Sequence, residues 1–234
     1  MRNLYFMVLG LFLFSCSSQA QVLQKAKGLL GGDAAFTKEE AANALKQALE
    51  QGTTKGVDLL SQMDGYFKNP EIKIPLPPEA QSVEQKLRSM GLEKQVDQAV
   101  ESLNRAAEDA ASEAKNIFIA AIKALTIQDA INIVKGEKDA ATRFLERETS
   151  AELTRKFSPI IENSLNKVNA TRHWEDVFNT YNKLPLVKKV ETDLTAYVTQ
   201  KAIDGLFVMI AKEELNIRQN PGARTTELLK KVFK

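Results

Sequence analysis

Hydrophobic and polar positions alternate along most of this chain with the spacing of a helix. One stretch is apolar beyond what a helix face requires. Residues 194–218, LTAYVTQKAIDGLFVMIAKEELNIR, contain the segment 205–211, which is apolar on every side of a helix. A helix apolar all round must be covered all round, so 194–218 is predicted to be the central core helix. Asn220-Pro221-Gly222 is its stop signal.

The other helices follow from caps and periodicity. Thr37-x-x-Glu40 is a capping box before Ala41, Ala44, Leu45, Ala48 and Leu49. That helix is expected to fray or break near Gly52 and resume through Val57, Leu59 and Leu60. Residues 79–90 form a further helix with Gly91 as its C-cap. Residues 92–125 are helical by pattern, with Val96, Val100, Leu103, Ala107 and Ala110 on one face. So long a run without a cap predicts a break near 110–112. Thr126 opens a short helix over 127–135, ended by Gly136. Another covers 139–148, with Phe144 and Leu145 inward and Arg143 and Arg147 one turn apart. Thr149-x-x-Glu152 is a second capping box, starting a separate helix that Pro159 should kink. Residues 169–183, with Trp174 and Phe178, and residues 225–233 supply the last helices, and 184–186 is a turn.

Residues 69–78 stand apart. Four prolines between 70 and 78 forbid a helix and push each preceding residue to extended geometry. Ile72, Ile74 and Leu76 alternate with Lys73 and Pro75, so one edge of this strap can be buried; proline-rich partner docking is the other use of such a segment. The expected fold is therefore all-α: a single multi-helix domain around the central helix, crossed by an extended strap at about 69–78.

The N-terminus changes the picture from fold to location. Arg2 precedes an apolar run from Leu4 to Phe14 and then Ser15-Cys16-Ser17-Ser18, the layout of a secretory signal peptide. The run is too short to span a bilayer, which takes roughly 18 to 20 apolar residues. Leu13-Phe14-Ser15-Cys16 resembles a bacterial lipoprotein box, with cleavage before Cys16 and lipid on its thiol. Ser18-Gln19-Ala20 is the competing site and would free a soluble periplasmic chain beginning at Gln21. The expected division is 1–20 leader, 21–36 tether and 37–234 helical domain. With Cys16 as anchor, the tether starts at Ser17, and Gly31-Gly32 is its joint.

Charge and chemistry narrow the functions. The precursor carries a net charge of +2, and loss of the leader, whose one charge is Arg2, leaves +1. Opposite charges interleave, which argues against a nucleic-acid groove and a polybasic membrane patch. Cys16 is the sole cysteine, so no disulfide and no cysteine–histidine zinc site is expected. The one histidine, His173, lies near Ser158, Ser164, Glu175 and Asp176 in sequence, without the strand-turn-helix elbow of a serine hydrolase. Calcium-loop and phosphate-loop spacings are absent, and no cofactor is expected. The acidic pairs Glu39-Glu40, Glu108-Asp109 and Glu213-Glu214 are expected on exposed helix faces. Lys201 and Asp204 lie three apart, beside the all-apolar turn. If that turn is central, Asp204 is part-buried and needs a cation, from Lys201, Arg143 or Arg147. These four form the candidate buried polar cluster.

Four segments together carry a resemblance. Asn69-Pro70-x-Ile-x-Ile-Pro-Leu-Pro77, Asp139-Ala-Ala-Thr-Arg-Phe144, Tyr197-Val-Thr-Gln-Lys-Ala-Ile-Asp-Gly-Leu-Phe207 and Leu228-Leu-Lys-Lys-Val-Phe233 resemble the exported bacterial family called domain of unknown function 4197. The resemblance covers about 37–233 and implies a helical, lipoprotein-like product of a Gram-negative envelope, with no known activity. The expected function is a non-enzymatic binding or structural module on the periplasmic side, held to the membrane by lipid and acting on an envelope partner or ligand. An enzyme built around Asp204, or a carrier of an apolar ligand, is the alternative.

Overall fold

The structure is a computed structural model and describes residues 37–167, 193–224 and 230. The leader, Cys16, the tether, His173, the helix expected at 169–183, the turn at 184–186 and the helix expected at 225–233 lie outside the described residues. Among the described residues there are seven α-helices and no strand.

Helix α1 (Lys38–Leu60) begins where its capping box sits: the Thr37 side chain accepts from Glu40 N, and the Glu40 carboxylate accepts from Thr37 N at 2.7 Å. It does not break at Gly52. Gly52, Thr53 and Gly56 are all buried within one continuous helix. The reason is packing, since a Cβ at Gly52 would lie 3.2 Å from Glu213 Cγ, so the glycine lets α1 approach the central helix closely.

A 3₁₀ turn (Pro78–Ala80) leads into α2 (Gln81–Ser89), and Gly91 follows with φ +79°, as a C-cap glycine requires. The long alanine-rich pattern divides as expected: α3 (Glu93–Ala111) ends and α4 (Ala114–Ala124) begins. Helix α5 (Ile127–Lys135) starts from a capping box of Thr126 and Asp129. The second predicted capping box is not one. Helix α6 (Ala140–Lys167) runs unbroken through Thr149, whose hydroxyl instead donates to Leu145 O at 2.6 Å in the helix interior. A threonine can bond back to the preceding turn as well as cap, and burial among apolar neighbours selects the former. Pro159 is accommodated inside α6.

Helix α7 (Leu194–Gln219) is the central one and packs against α1, α3 and α6. Its cover is incomplete, however. Lys201, Asp204, Val208 and Lys212 form an exposed stripe, while Ala202, Ile203, Leu206, Phe207 and Ile210 are buried. The Phe207 ring meets Phe118 of α4 edge to face, with centroids 5.9 Å apart.

The strap lies against α3 and α7. Ile72, Ile74 and Leu76 are buried, and Lys73 and Pro75 are exposed, as the alternation predicts. Asn104 of α3 grips the strap by its backbone: its carbonyl accepts from Ile74 N at 2.8 Å, and its amide donates to Ile74 O at 2.9 Å. Tyr197 of α7 donates to Pro75 O at 3.2 Å. Tyr66, fully buried, donates its hydroxyl to Ala202 O of α7 at 2.7 Å. Burial pushes its phenol well above the usual tyrosine range, so it remains a donor. Gly205 is required beneath it, because a Cβ there would come within 2.7 Å of the Tyr66 ring and 3.3 Å of Ile72 Cβ.

Truncating Ile74, which is 1 % exposed, to alanine is expected to cost about 2 to 5 kcal/mol in a urea titration. An unchanged midpoint would show that the strap is not part of the cooperative core.

Candidate functional site

The four residues of the expected polar cluster do not assemble. Asp204 lies on the exposed stripe of α7. It accepts from Gln200 Nε2 at 2.8 Å and meets Lys201 Nζ at 3.5 Å, with both charged side chains nearly half exposed. Arg143 pairs with Asp139 at 3.0 Å and Arg147 with Glu148 at 2.8 Å, both on the surface. Adjacency to an apolar turn along the chain does not bury a residue, because its position around the helix decides which side it faces.

The buried carboxylates are Glu108 and Glu214, each one member of an acidic pair expected to be exposed. Asp109 does face outward, accepting from Ser164, while Glu213 is half-buried, 16 % exposed at its side chain, and pairs with the exposed Lys55 at 3.0 Å. Glu108, 4 % exposed, accepts from Tyr66 N at 3.0 Å and Phe67 N at 3.1 Å through one oxygen. Its other oxygen takes a 2.7 Å bond from Arg105, which also reaches Asp64 at 2.7 Å and Glu101 at 3.0 Å. Asp64 adopts φ +72°, a left-handed conformation unusual for a side-chain-bearing residue. Hydrogen bonds from Lys68 and then Arg105 hold its carboxyl below the usual range. This clamp fixes the turn that leads from α1 into the strap.

Glu214 makes the second clamp. Its carboxylate accepts from Ala141 N (3.0 Å), Thr142 N (2.9 Å) and the Thr142 hydroxyl (2.7 Å), so it satisfies the free N–H groups at the start of α6. Arg218, one turn on, donates to Glu214 at 2.8 Å and to Ile133 O at 2.9 Å, near the end of α5. One Glu–Arg pair on α7 thus joins the C-terminus of α5 to the N-terminus of α6. Beside it lies a cavity of about 20 Å³, lined among others by Leu49, Thr53, Ile210 and Glu214. That is about the room one water takes.

The signals for both clamps were present in the chain. Glu214 falls on the apolar stripe of Phe207, Ile210 and Ile217, and Asn104 and Glu108 lie one turn apart on the alanine-rich run of α3. A polar residue at a core-spaced position is the mark of an internal hydrogen-bonding role.

A wider depression of about 340 Å³ opens on the surface between α4, α5 and α6. Ala120, Ala121 and Ala124 contribute from α4, Asp129 from α5, and Phe144 and Glu152 from α6. Arg147 places its guanidinium 5.1 Å from the Phe144 ring centroid. Hydrogen bonds from the Thr126 side chain and backbone hold the Asp129 carboxyl below the usual range. Among the described residues, no three histidine, cysteine or acidic side chains come together to hold a metal ion. No single described helix is long and apolar enough to cross a membrane.

Fold and clamps together define an all-α protein whose internal charges join its helices and its proline-rich strap. The chain belongs to the family of proteins of unknown function DUF4197, whose sequence pattern matches residues 35–234. Comparison with curated proteins and with solved structures gives no match.

Proposed function

We propose that this chain is an exported envelope protein, held to a membrane by lipid on Cys16, whose helical body is a binding or structural module acting through its surface. The observation that carries the reading is the use of the buried charges. Glu108 and Glu214, with Arg105 and Arg218, are engaged by backbone groups and by each other, and so act as joints of the fold. Asp204, the carboxylate around which the alternative enzyme would be built, is exposed and paired on its own helix. The cavity beside Glu214, at about 20 Å³, is far below the roughly 300 Å³ at which small-molecule pockets begin, which weighs against an apolar carrier there. The leader supports the location: an apolar run too short to span a bilayer ends at Phe14, two residues before Cys16.

Intact mass spectrometry of the mature protein tests the anchor. The expected product begins at Cys16 and carries added acyl mass, and Cys16→Ala should move it from the membrane to the soluble fraction. An unmodified chain beginning at Gln21 would remove the anchor and keep export, and an uncut chain would remove both.

A further inference from the structure

The groove between α4, α5 and α6 deepens this surface-binding reading, on which the inference rests. Along α4, Ile117, Ala120, Ala121 and Ala124 fall at i, i+3, i+4 and i+7, the spacing with which one helix presents a stripe to another. Ala120 and Ala124 are exposed, and side chains so small let a partner's backbone come close. On α6, Phe144, Glu148 and Glu152 follow one another a turn apart along the same groove, and Asp129 of α5 adds a third carboxylate. The floor is apolar and the rim acidic. Arg147 is the single cation among the lining residues, exposed at the groove's edge with its guanidinium over the Phe144 ring and bonded to Glu148 at 2.8 Å; Arg155, outside the lining, pairs with Glu152 at 3.1 Å. The chain's own arginine occupies the place between aromatic face and acidic rim that an incoming cation would take.

We propose that this groove receives an amphipathic helix of a partner protein. Its apolar face lies on Ala120, Ala124 and Phe144, and its lysines or arginines lie beside Glu148, Glu152 and Asp129. In helix-in-groove recognition the incoming helix supplies anchors at i, i+3 or i+4 and i+7, and these can pack along the equally spaced stripe on α4. A volume of about 340 Å³ suits a few anchoring side chains. The acidic rim repels anionic headgroups, which favours a basic helix over an anionic lipid surface as the occupant. A partner helix also makes a definite demand on Arg147, which competes with the partner's cation.

The test uses the full mature chain carrying Cys16→Ser, so that no lipid competes for the probe. The probe is a fluorescein-labelled amphipathic leucine–lysine helix, with a leucine–glutamate helix of equal length as its control. Fluorescence anisotropy should show saturable binding of the lysine peptide and none of the glutamate peptide. The double charge reversal Glu148→Lys with Glu152→Lys should weaken binding about tenfold or more. Ala124→Arg, which fills the groove, should abolish it, and Arg147→Ala should tighten it. Ala124 and Arg147 are exposed, so unchanged thermal melting will show that both variants are folded, and these two decide the matter if the charge reversal unfolds the body. Equal binding of both peptides, binding indifferent to Ala124→Arg, or weaker binding by Arg147→Ala overturns the groove. Any of those results leaves the lipid at Cys16 untouched, whereas the mass spectrum judges the anchor alone.

Discussion

Glu214→Ala should lower the unfolding free energy by about 3 to 5 kcal/mol, read as a shift of the urea midpoint at unchanged slope. Glu214 and Arg218 are 5 % and 15 % exposed at their side chains, so neither charge is rehydrated when the other goes. Removal of the carboxylate takes from the Arg218 guanidinium the acceptor of two of its N–H groups and strips the Ala141 and Thr142 N–H groups of theirs. Those N–H groups are at the positive end of α6, where a carboxylate is also favoured by the helix dipole. The neighbouring Glu213→Ala is the control. Glu213 is itself 16 % exposed, but its partner Lys55 is 63 % exposed and stays hydrated when the carboxylate goes, so the loss should be about 1 kcal/mol. Equal effects at 213 and 214 would sink the distinction between a joint and a pair with one hydrated partner.

Much of the fold was legible because its signals are local. The capping box at Thr37, the helix start at Thr126, the left-handed Gly91 and the stop at Asn220-Pro221 each act within one turn of chain, and each is found where the sequence puts it. The alternation of Ile72, Ile74 and Leu76 similarly needs only a buried edge. The failures concern partners far away in sequence. Gly52 is a helix breaker in isolation, but α7 lies against it and the helix continues. Thr149 is a cap in isolation, but tertiary packing keeps α6 helical across it. The site shows the same limit. Asp204 was singled out by its place along the chain, while the polar groups that matter are set by angular position on the stripe and by backbone from other elements. Glu108 meets N–H groups about forty residues earlier, and Glu214 meets a helix start more than seventy residues earlier. No short-range pattern contains those encounters. Asp204→Ala, by the same argument, falls in the exposed-pair range.

Glu108→Ala is expected to release the strap's entry, with a different signature from Glu214→Ala. The loss is about 2 to 4 kcal/mol, because two backbone donors lose their acceptor and each unsatisfied buried donor costs about 1 to 3 kcal/mol. Tyr66 N is buried and Phe67 N part-buried, so the second contributes less. Arg105 is not orphaned, since Asp64 and Glu101 still hold it, and its side chain is 31 % exposed. Glu108→Gln keeps an oxygen for the two N–H groups and should lose less than alanine does. Amide exchange then separates the two clamps, because local opening follows the contacts that close it. In Glu108→Ala the amides of Tyr66 and Phe67 should exchange faster, and those of Ala141 and Thr142 should change only as far as global stability does. In Glu214→Ala the order should reverse. The turn has little slack to absorb the loss: Asp64 is already in a left-handed conformation, and the Tyr66 ring is fixed by Ala202 above Gly205. Uniform acceleration across the body in both variants would mean that the clamps are not local joints, and that the strap and helices open as one unit.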